Sequence, residues 1–444
     1  MTNLGLVLTI SYAFITFTIF LKVIKRDLYY ALFLIFIFIY SFFSILTYLI
    51  YPEFIAFFSN LYWGNDSIYT ATIFSILSML SCYIFFLLIY LPLSRNGPKT
   101  NLSKNYQSYF FLISGFFTLI LYFLSFVLSD SLNYELALET SNILKIFVII
   151  YDYSSYLILT FYISLRQKLF KGNNKAISQF ILITIIIIFL LDSIAMGRRT
   201  SLLNIFLGIS FFEIFANKNI YKIDLIYIIR NFIRKLKIKT KRFYKFSLFT
   251  LISLTITVLI WGLLFTRGER SSYFNFVDVN SPLIEFIFLN DFTFPFLALP
   301  TAIHHNFIDP FAVLSSNFFN SLIQFNYPFL QQILVDSFQY QRNFTRGAST
   351  GFFIFTEGFV FLGMWGFLYN GIMSTLIFGL FRKVSKTNNV LFNQFASSLI
   401  FSITAGIIRV QSSTILKTTW LFLLPTFVLY SLISGIRLSY KLEK

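Results

Sequence analysis

The chain has 444 residues, of which 57% are hydrophobic and 21% aromatic, while only 12% are charged, and its formal net charge is +17. Soluble domains carry roughly a quarter charged residues, so this composition excludes an ordinary soluble fold and makes lipid the main solvent. The single cysteine, Cys82, excludes an intramolecular disulfide and a thiolate metal cluster.

A hydrocarbon core about 30 Å thick is crossed by a helix of about 20 mostly apolar residues, and such runs recur from end to end. The first, Leu4 to Leu21, stands where a signal sequence would. It lacks a charged leader and a small-residue cleavage pattern, and so reads as the first span. Spans are expected near 4–22, 28–50, 70–92, 108–128, 144–164, 178–195, 201–216, 246–265, 358–380, 392–408 and 420–437. The expected fold is an all-α polytopic membrane protein with about eleven transmembrane helices, in a range of about 10–13. Eight spans occupy 1–265, one large extracytoplasmic loop occupies 266–350, and three spans occupy 351–444.

Orientation follows from the basic residues between spans. With the amino terminus outside, the cytoplasmic segments 22–27, 93–107, 165–177, 217–245, 381–391 and 437–444 hold 26 of the 35 Lys and Arg residues, ten of them in 217–245. The opposite loops 51–69 and 129–143 hold none and carry Glu53, Asp66, Asp130, Glu135 and Glu139. The positive charge is thus mostly a topology signal, and the 217–245 stretch would lie against anionic headgroups of the membrane lipid. No nucleic-acid partner is expected from it.

The basic residues that topology does not explain are Arg198, Arg199, Arg267, Arg270, Arg342, Arg346, Arg409 and Lys417, all on the outer side and seven of eight arginine. On the cytoplasmic side only eight of 26 are arginine. A guanidinium presents a planar fork of donors that grips phosphate or carboxylate in two parallel bonds, whereas an ammonium is a mobile point charge. The outer arginines therefore suit an anion site, with Arg198, Arg199, Arg267, Arg270 and Arg409 near span ends, at the depth of a lipid-borne diphosphate. Arg267 and Arg270 would share a face on a continuing helix, while Arg198 and Arg199 diverge by about 100°. The plainer alternative is that each snorkels or pairs with an acid such as Asp192 or Glu269.

Loop 266–350 is long enough to be functional. Its apolar stretches, interrupted by Glu285, Asn290, Asp291 and Gln324, suit helices lying on or dipping into the membrane interface. It contains both histidines, His304 and His305. Candidate acid–base groups are few: Glu357 at the mouth of the following span, Glu269 between two arginines, His304 or His305, and Asp291. For Glu357 the alternative is a helix-start carboxylate favoured by the dipole, and for the histidines a plain polar loop position. Asp152, inside a span, suits pairing with Lys145 or a polar interior. No cluster has metal-ligand spacing, and no cofactor is implied.

The run Gly197-Arg-Arg-Thr-Ser-Leu-Leu opening a span, the long outer loop, and then Gly347-Ala-Ser-Thr-Gly-Phe-Phe-Ile-Phe-Thr-Glu-Gly-Phe-Val-Phe-Leu-Gly-Met-Trp-Gly resemble the Wzy-type O-antigen and capsule repeat-unit polymerases over roughly 190–420. The resemblance implies a metal-independent membrane glycosyltransferase of GT-C-like plan, similar to O-antigen ligases, in a bacterial cytoplasmic (inner) membrane. Such an enzyme joins polyprenyl-diphosphate-linked oligosaccharides, as donor and acceptor, on the outer face, with a chain-length regulator as a protein partner. It implies Arg198 or Arg199, Arg267 or Arg270, and Arg409 as ligands of the diphosphate. Glu357 falls on the family's acidic position. Its expectation of more spans, often from a cytoplasmic start, differs from the count above. The rival functions are a lipid-linked oligosaccharide flippase, which needs charge along a mid-membrane cavity, and an O-antigen ligase.

Overall fold

The structure is a computed structural model. It describes residues 3–50, 65–95, 294–321, 352–386 and 390–407, with 159, 162–163, 205, 207–212, 333 and 412. Among these residues every regular element is helical. Four stretches, Leu4–Ile24, Leu28–Leu46, Asp66–Leu93 and Ile354–Ser385, are long and apolar enough to cross a membrane. The protein is thus membrane-embedded and polytopic. The spans expected near 108–128, 144–164, 178–195, 246–265 and 420–437, and most of 201–216, lie outside the described residues, as does most of loop 266–350.

Helix α1 is Asn3–Ile24 and α2 is Leu28–Ile50. On α1 the positions Gly5, Thr9, Tyr12, Thr16, Ile19 and Val23 are buried, at alternating steps of four and three, with Ile24 beside them, while Val7, Ile10, Phe14, Phe17 and Leu21 are exposed. The face turned to neighbours is therefore the more polar one and the outward face is apolar. This inverts the pattern of a helix on a water-soluble protein and matches a helix whose outer solvent is lipid, where small and polar residues serve helix contact. Two of the hydroxyls on this face bond locally or across the interface: Thr9 donates to the Gly5 carbonyl, and the Tyr12 and Ser41 hydroxyls bond each other.

Helix α3 starts at Asn65 as an α-helix to Phe85, passes through one π turn at Phe86–Tyr90, and ends at Leu91–Leu93. It packs alongside the helix Gly366–Ser385 through small and polar side chains. Asn370 bonds Ser78 at 3.1 Å, and Ser374 bonds Cys82 at 3.3 Å. A side chain on Gly371 would collide with Ser81. This is close backbone approach of the kind membrane helices use instead of hydrophobic burial.

The part of loop 266–350 that is described forms a short 3-10 turn, Phe294–Leu297, then α4, Ala298–His304, and α5, Pro310–Ser321. A chain reversal then follows where one span from 358 is expected. Residues Ile354–Leu362 form α6, Gly363–Trp365 a 3-10 turn, and Gly366–Ser385 α7. Gly363 has φ +59°, a conformation that suits glycine and ends α6. The reversal folds α6 back onto α7: a Cβ on Gly366 would lie 1.7 Å from the Gly358 carbonyl oxygen, so only glycine fits the crossing. Asn370 fastens it, donating to the Phe355 carbonyl at 3.1 Å. The twenty residues of α7 reach about 30 Å and suffice to span alone. Helix α8, Val390–Ile407, follows, close to the expected 392–408.

Candidate functional site

The reversal at Gly363 creates the site. Along an unbroken helix Glu357 and Tyr369 would stand about 18 Å apart; here the Tyr369 hydroxyl donates to Glu357 Oε1 at 2.6 Å. The Asn317 side-chain amide on α5 donates to the same oxygen and bonds the Tyr369 hydroxyl at 3.1 Å. Glu357 Oε2 accepts the backbone N–H of Ser412 at 2.8 Å and the Ser412 hydroxyl at 2.6 Å. The carboxylate is 1% exposed. It thus receives four bonds, from α5, α7 and Ser412. Glu357 lies in the first turn of α6 yet makes no side-chain cap there. That first-turn position is the one the helix dipole favours for a carboxylate, and the four bonds from α5, α7 and Ser412 come in addition to it.

His304, at the end of α4, is exposed, and its Nδ1 lies 3.4 Å from the Ser67 hydroxyl at the start of α3. His305 stands edge-on to it, ring centres 5.0 Å apart. Partial burial, and then the neighbouring His304, lower the pKa of His305 from its ordinary value. The strand of chain beyond the histidines is tied to α6, since the Asp309 N–H donates to the Val360 carbonyl at 2.8 Å. His304 and Glu357 accordingly lie toward the same end of the bundle. Among the described residues no hydrogen bond or ion pair joins them.

A second buried carboxylate occupies the other end of α7. Asp27 caps α2, taking the N–H groups of Tyr29 and Tyr30 at 3.0 and 3.2 Å. The same oxygen accepts the Tyr90 hydroxyl at 2.9 Å, delivered from the π turn of α3. Its other oxygen meets Arg382 Nε at 2.9 Å. The guanidinium lies over the Tyr29 ring, 4.3 Å from its centre, and also bonds Ser385. Lys386, just beyond α7, has its pKa lowered by burial first and then by Arg382.

Of the residues singled out from sequence as candidate acid–base groups, Glu357, His304 and His305 are described, and they lie toward one end. Glu269, Asp291, Asp152, Arg198, Arg199, Arg267, Arg270 and Arg409 lie outside the described residues. Sequence reasoning missed Asn317, Tyr369 and Ser412, which no motif marks, and the Asp27–Arg382 pair. Asp27 did carry a readable cue, an acid directly before the apolar run Leu28–Ile50. Among the described residues no three His, Cys, Asp or Glu side chains group together. Comparison with family models, with curated proteins and with solved structures finds no match.

Proposed function

We propose that the chain is a membrane glycosyltransferase that polymerises polyprenyl-diphosphate-linked oligosaccharide repeat units into O-antigen or capsular polysaccharide, on the outer face of a bacterial cytoplasmic membrane. The architecture proposed with it is a GT-C-like plan of about eleven spans with an outside start, fewer spans than the resemblance implies. The observation that carries it is the Glu357 node. It joins α5 of the large loop, the hairpin that follows that loop, and Ser412, three residues beyond Arg409. These are the later segments whose order underlies the resemblance to Wzy-type polymerases, and a reaction centre assembled from them would need such a tie.

In this reading Arg198 or Arg199, Arg267 or Arg270, and Arg409 hold the diphosphate of the donor. The bond from the donor sugar's anomeric carbon to the diphosphate oxygen breaks, and its electron pair leaves with the polyprenyl diphosphate. Guanidinium groups fixed in a water-poor site stabilise that charge. The acceptor sugar's hydroxyl oxygen forms the new bond to the anomeric carbon, and its proton passes to a base among Glu357, His304 and Glu269. Among the described residues the charges of the spans gather near helix ends, as at Lys22, Asp66, Arg382 and Lys383. That distribution favours an enzyme at a membrane face over a flippase with a charged mid-membrane path.

The test is reconstitution of the purified protein in detergent with a polyprenyl-diphosphate-linked repeat unit. A ladder of oligomers is the expected product, and Arg267→Ala or Arg409→Ala should leave the protein inserted but give only single repeats. Unchanged substrate that crosses liposomes would replace this reading with a flippase.

A further inference from the structure

We infer that the described part of the 266–350 loop stands in the membrane instead of lying over it: α4 and α5 form an inserted helical hairpin, its apolar flank solvated by the acyl chains of the bilayer and its histidine-bearing turn at the headgroups. The insertion does not depend on the polymerase activity.

Helix α3 supplies the scale of depth. Its apolar stretch Asp66–Leu93 has 28 residues, about 42 Å of helix, enough for the hydrocarbon core and both headgroup layers. Helix α7 runs beside it in the opposite sense, with Asn370 on Ser78, Ser374 on Cys82 and Gly379 against Leu93. His304 meets Ser67, at the very start of α3. The Phe355 carbonyl takes Asn370 and is therefore level with Ser78. The Phe353 ring, 5.3 Å from that of Phe355, packs on Phe296 with ring centres 5.2 Å apart. Ser67 and Ser78 are about 16 Å apart along α3. The 3-10 turn Phe294–Leu297 thus lies far below His304, and α4 climbs between them. Helix α5 goes back down. Just before it the Asp309 N–H bonds the Val360 carbonyl, one residue from Phe359, whose ring meets Phe74. Farther along, Asn317 reaches Tyr369, the neighbour of Asn370. A helix lying flat on the interface would keep one level throughout.

The surface of α5 agrees with that depth. Phe311, Leu314 and Phe318, at steps of three and four, are 76%, 55% and 61% exposed, whereas Ala312, Val313, Ser315 and Ser316 are buried. Hydroxyls inside and large apolar side chains outside repeat the inversion seen on α1, and facing water such a stripe would be a liability. Ile308, also exposed, abuts Gly363 and carries the stripe on to Leu362, Met364 and Trp365, exposed members of the apolar stretch Ile354–Ser385. The turn between α4 and α5 is the polar exception: His304, His305 and Asn306 are exposed there, and Asn306 has φ +46°. Acyl chains are the occupant because the stripe stands at the level of the spanning helices and continues their surface, where hydrocarbon surrounds the protein.

The test uses the full chain in lipid nanodiscs, in a Cys82→Ala background, with one spin label at a time at Phe311→Cys, Leu314→Cys, Phe318→Cys or His305→Cys. Ile84→Cys, on the exposed apolar side of α3, is the lipid-facing reference. Oxygen dissolves in hydrocarbon and a nickel chelate in water, so the ratio of their collision rates reads depth. That ratio should rise severalfold from Phe311→Cys to Phe318→Cys, approach the value at Ile84→Cys, and be reversed at His305→Cys. Equal ratios along α5 would mean a helix lying flat on the surface and would overturn the inference. Preference for nickel at all three positions would put the loop in water, and access by neither reagent would mean that protein covers the stripe; both overturn it. If replacing Cys82 disturbs the fold, the unsubstituted protein decides through a diazirine dissolved in the lipid. Carbene adducts on the peptide carrying 311–318 support the insertion, and adducts on α1 with none on that peptide overturn it.

Discussion

Asp27 and Glu357 are both buried carboxylates, 5% and 1% exposed, near opposite ends of α7, yet they are satisfied in different ways. Asp27 meets a guanidinium, two helix-start amides and a phenol, so its charge is balanced where it stands. Glu357 meets only neutral donors, and among the described residues no cation pairs with it. A buried charge without a countercharge costs several kcal/mol unless its hydrogen bonds are complete. Balanced charge of the first kind serves to lock α2, α3 and α7 together. Charge of the second kind is an expensive way to join segments, and in a membrane protein it marks the end where function is sought.

The largest effect separating the two ends is expected from Asp27→Asn. It leaves the Arg382 guanidinium buried without its partner, at a cost of about 3–5 kcal/mol. Thermal unfolding of the purified variant in detergent should show a clear loss, while whatever folds should keep the wild-type pattern in the reconstitution assay. Replacing both partners, Asp27→Asn with Arg382→Met, should recover part of the loss, since the asparagine oxygen still accepts from Tyr29, Tyr30 and Tyr90. Unchanged unfolding with the reconstitution product abolished would erase the distinction between the two ends.

Next in size is Gly366→Ala, which acts on the hairpin that builds the Glu357 end. The added Cβ would sit 1.7 Å from the Gly358 carbonyl oxygen, and backbone cannot yield as a side-chain tip can. Overpacking of this kind costs about 1–3 kcal/mol. The oligomer ladder should disappear even where the stability loss is smaller than that of Asp27→Asn, because Tyr369 is drawn away from Glu357. An unaltered ladder from this variant would detach the hairpin from activity.

Tyr369→Phe is gentler. It removes the hydroxyl's bond to Glu357 and the one it accepts from Asn317, without moving the backbone, and leaves the Asn317 and Ser412 bonds to Glu357 in place. Polymer yield should fall only part of the way, and less than with Gly366→Ala. A complete loss of turnover with stability unchanged would give the phenol a chemical part and make the Glu357 end more than a framework.

What the sequence could and could not disclose divides along the same lines. The helices α1, α2, α3 and α8 were readable because apolar runs of about 20 residues have few other uses. Glu357 and His304 stood out because acids and imidazoles are rare in such a chain. The break at Gly363–Trp365 was not readable: Gly, Met and Trp are all acceptable within an apolar span, and the turn becomes necessary only when Gly358 and Gly366 meet. Asn317, Tyr369 and Ser412 were hidden for the same reason, since their shared target is set by contacts between segments 40, 12 and 55 residues from Glu357. The Asp27–Arg382 pair was partly masked by its setting. Arg382 stands among Lys383 and Lys386, where the positive-inside rule already explains a basic residue.

The smallest expected effect is a dependence on pH confined to the Glu357 end, because both histidines of the chain are His304 and His305. The folded protein lowers the pKa of His305 below its ordinary value of 6.5, chiefly by burial and then through His304. In the window just below 6.5 the unfolded chain therefore holds the proton that the fold rejects. Stability rises with pH across that window, is complete above it, and is lost as pH falls through it toward the folded value. Since His305 is largely exposed, the midpoint of thermal unfolding should drop by only on the order of one degree between pH 7.5 and 5.5. His305→Gln should flatten that slope, whereas Asp27→Asn should lower the midpoint at both pH values alike. A slope that survives His305→Gln and vanishes in Asp27→Asn would move the proton-sensitive group to the opposite end and reverse the contrast between the two carboxylates.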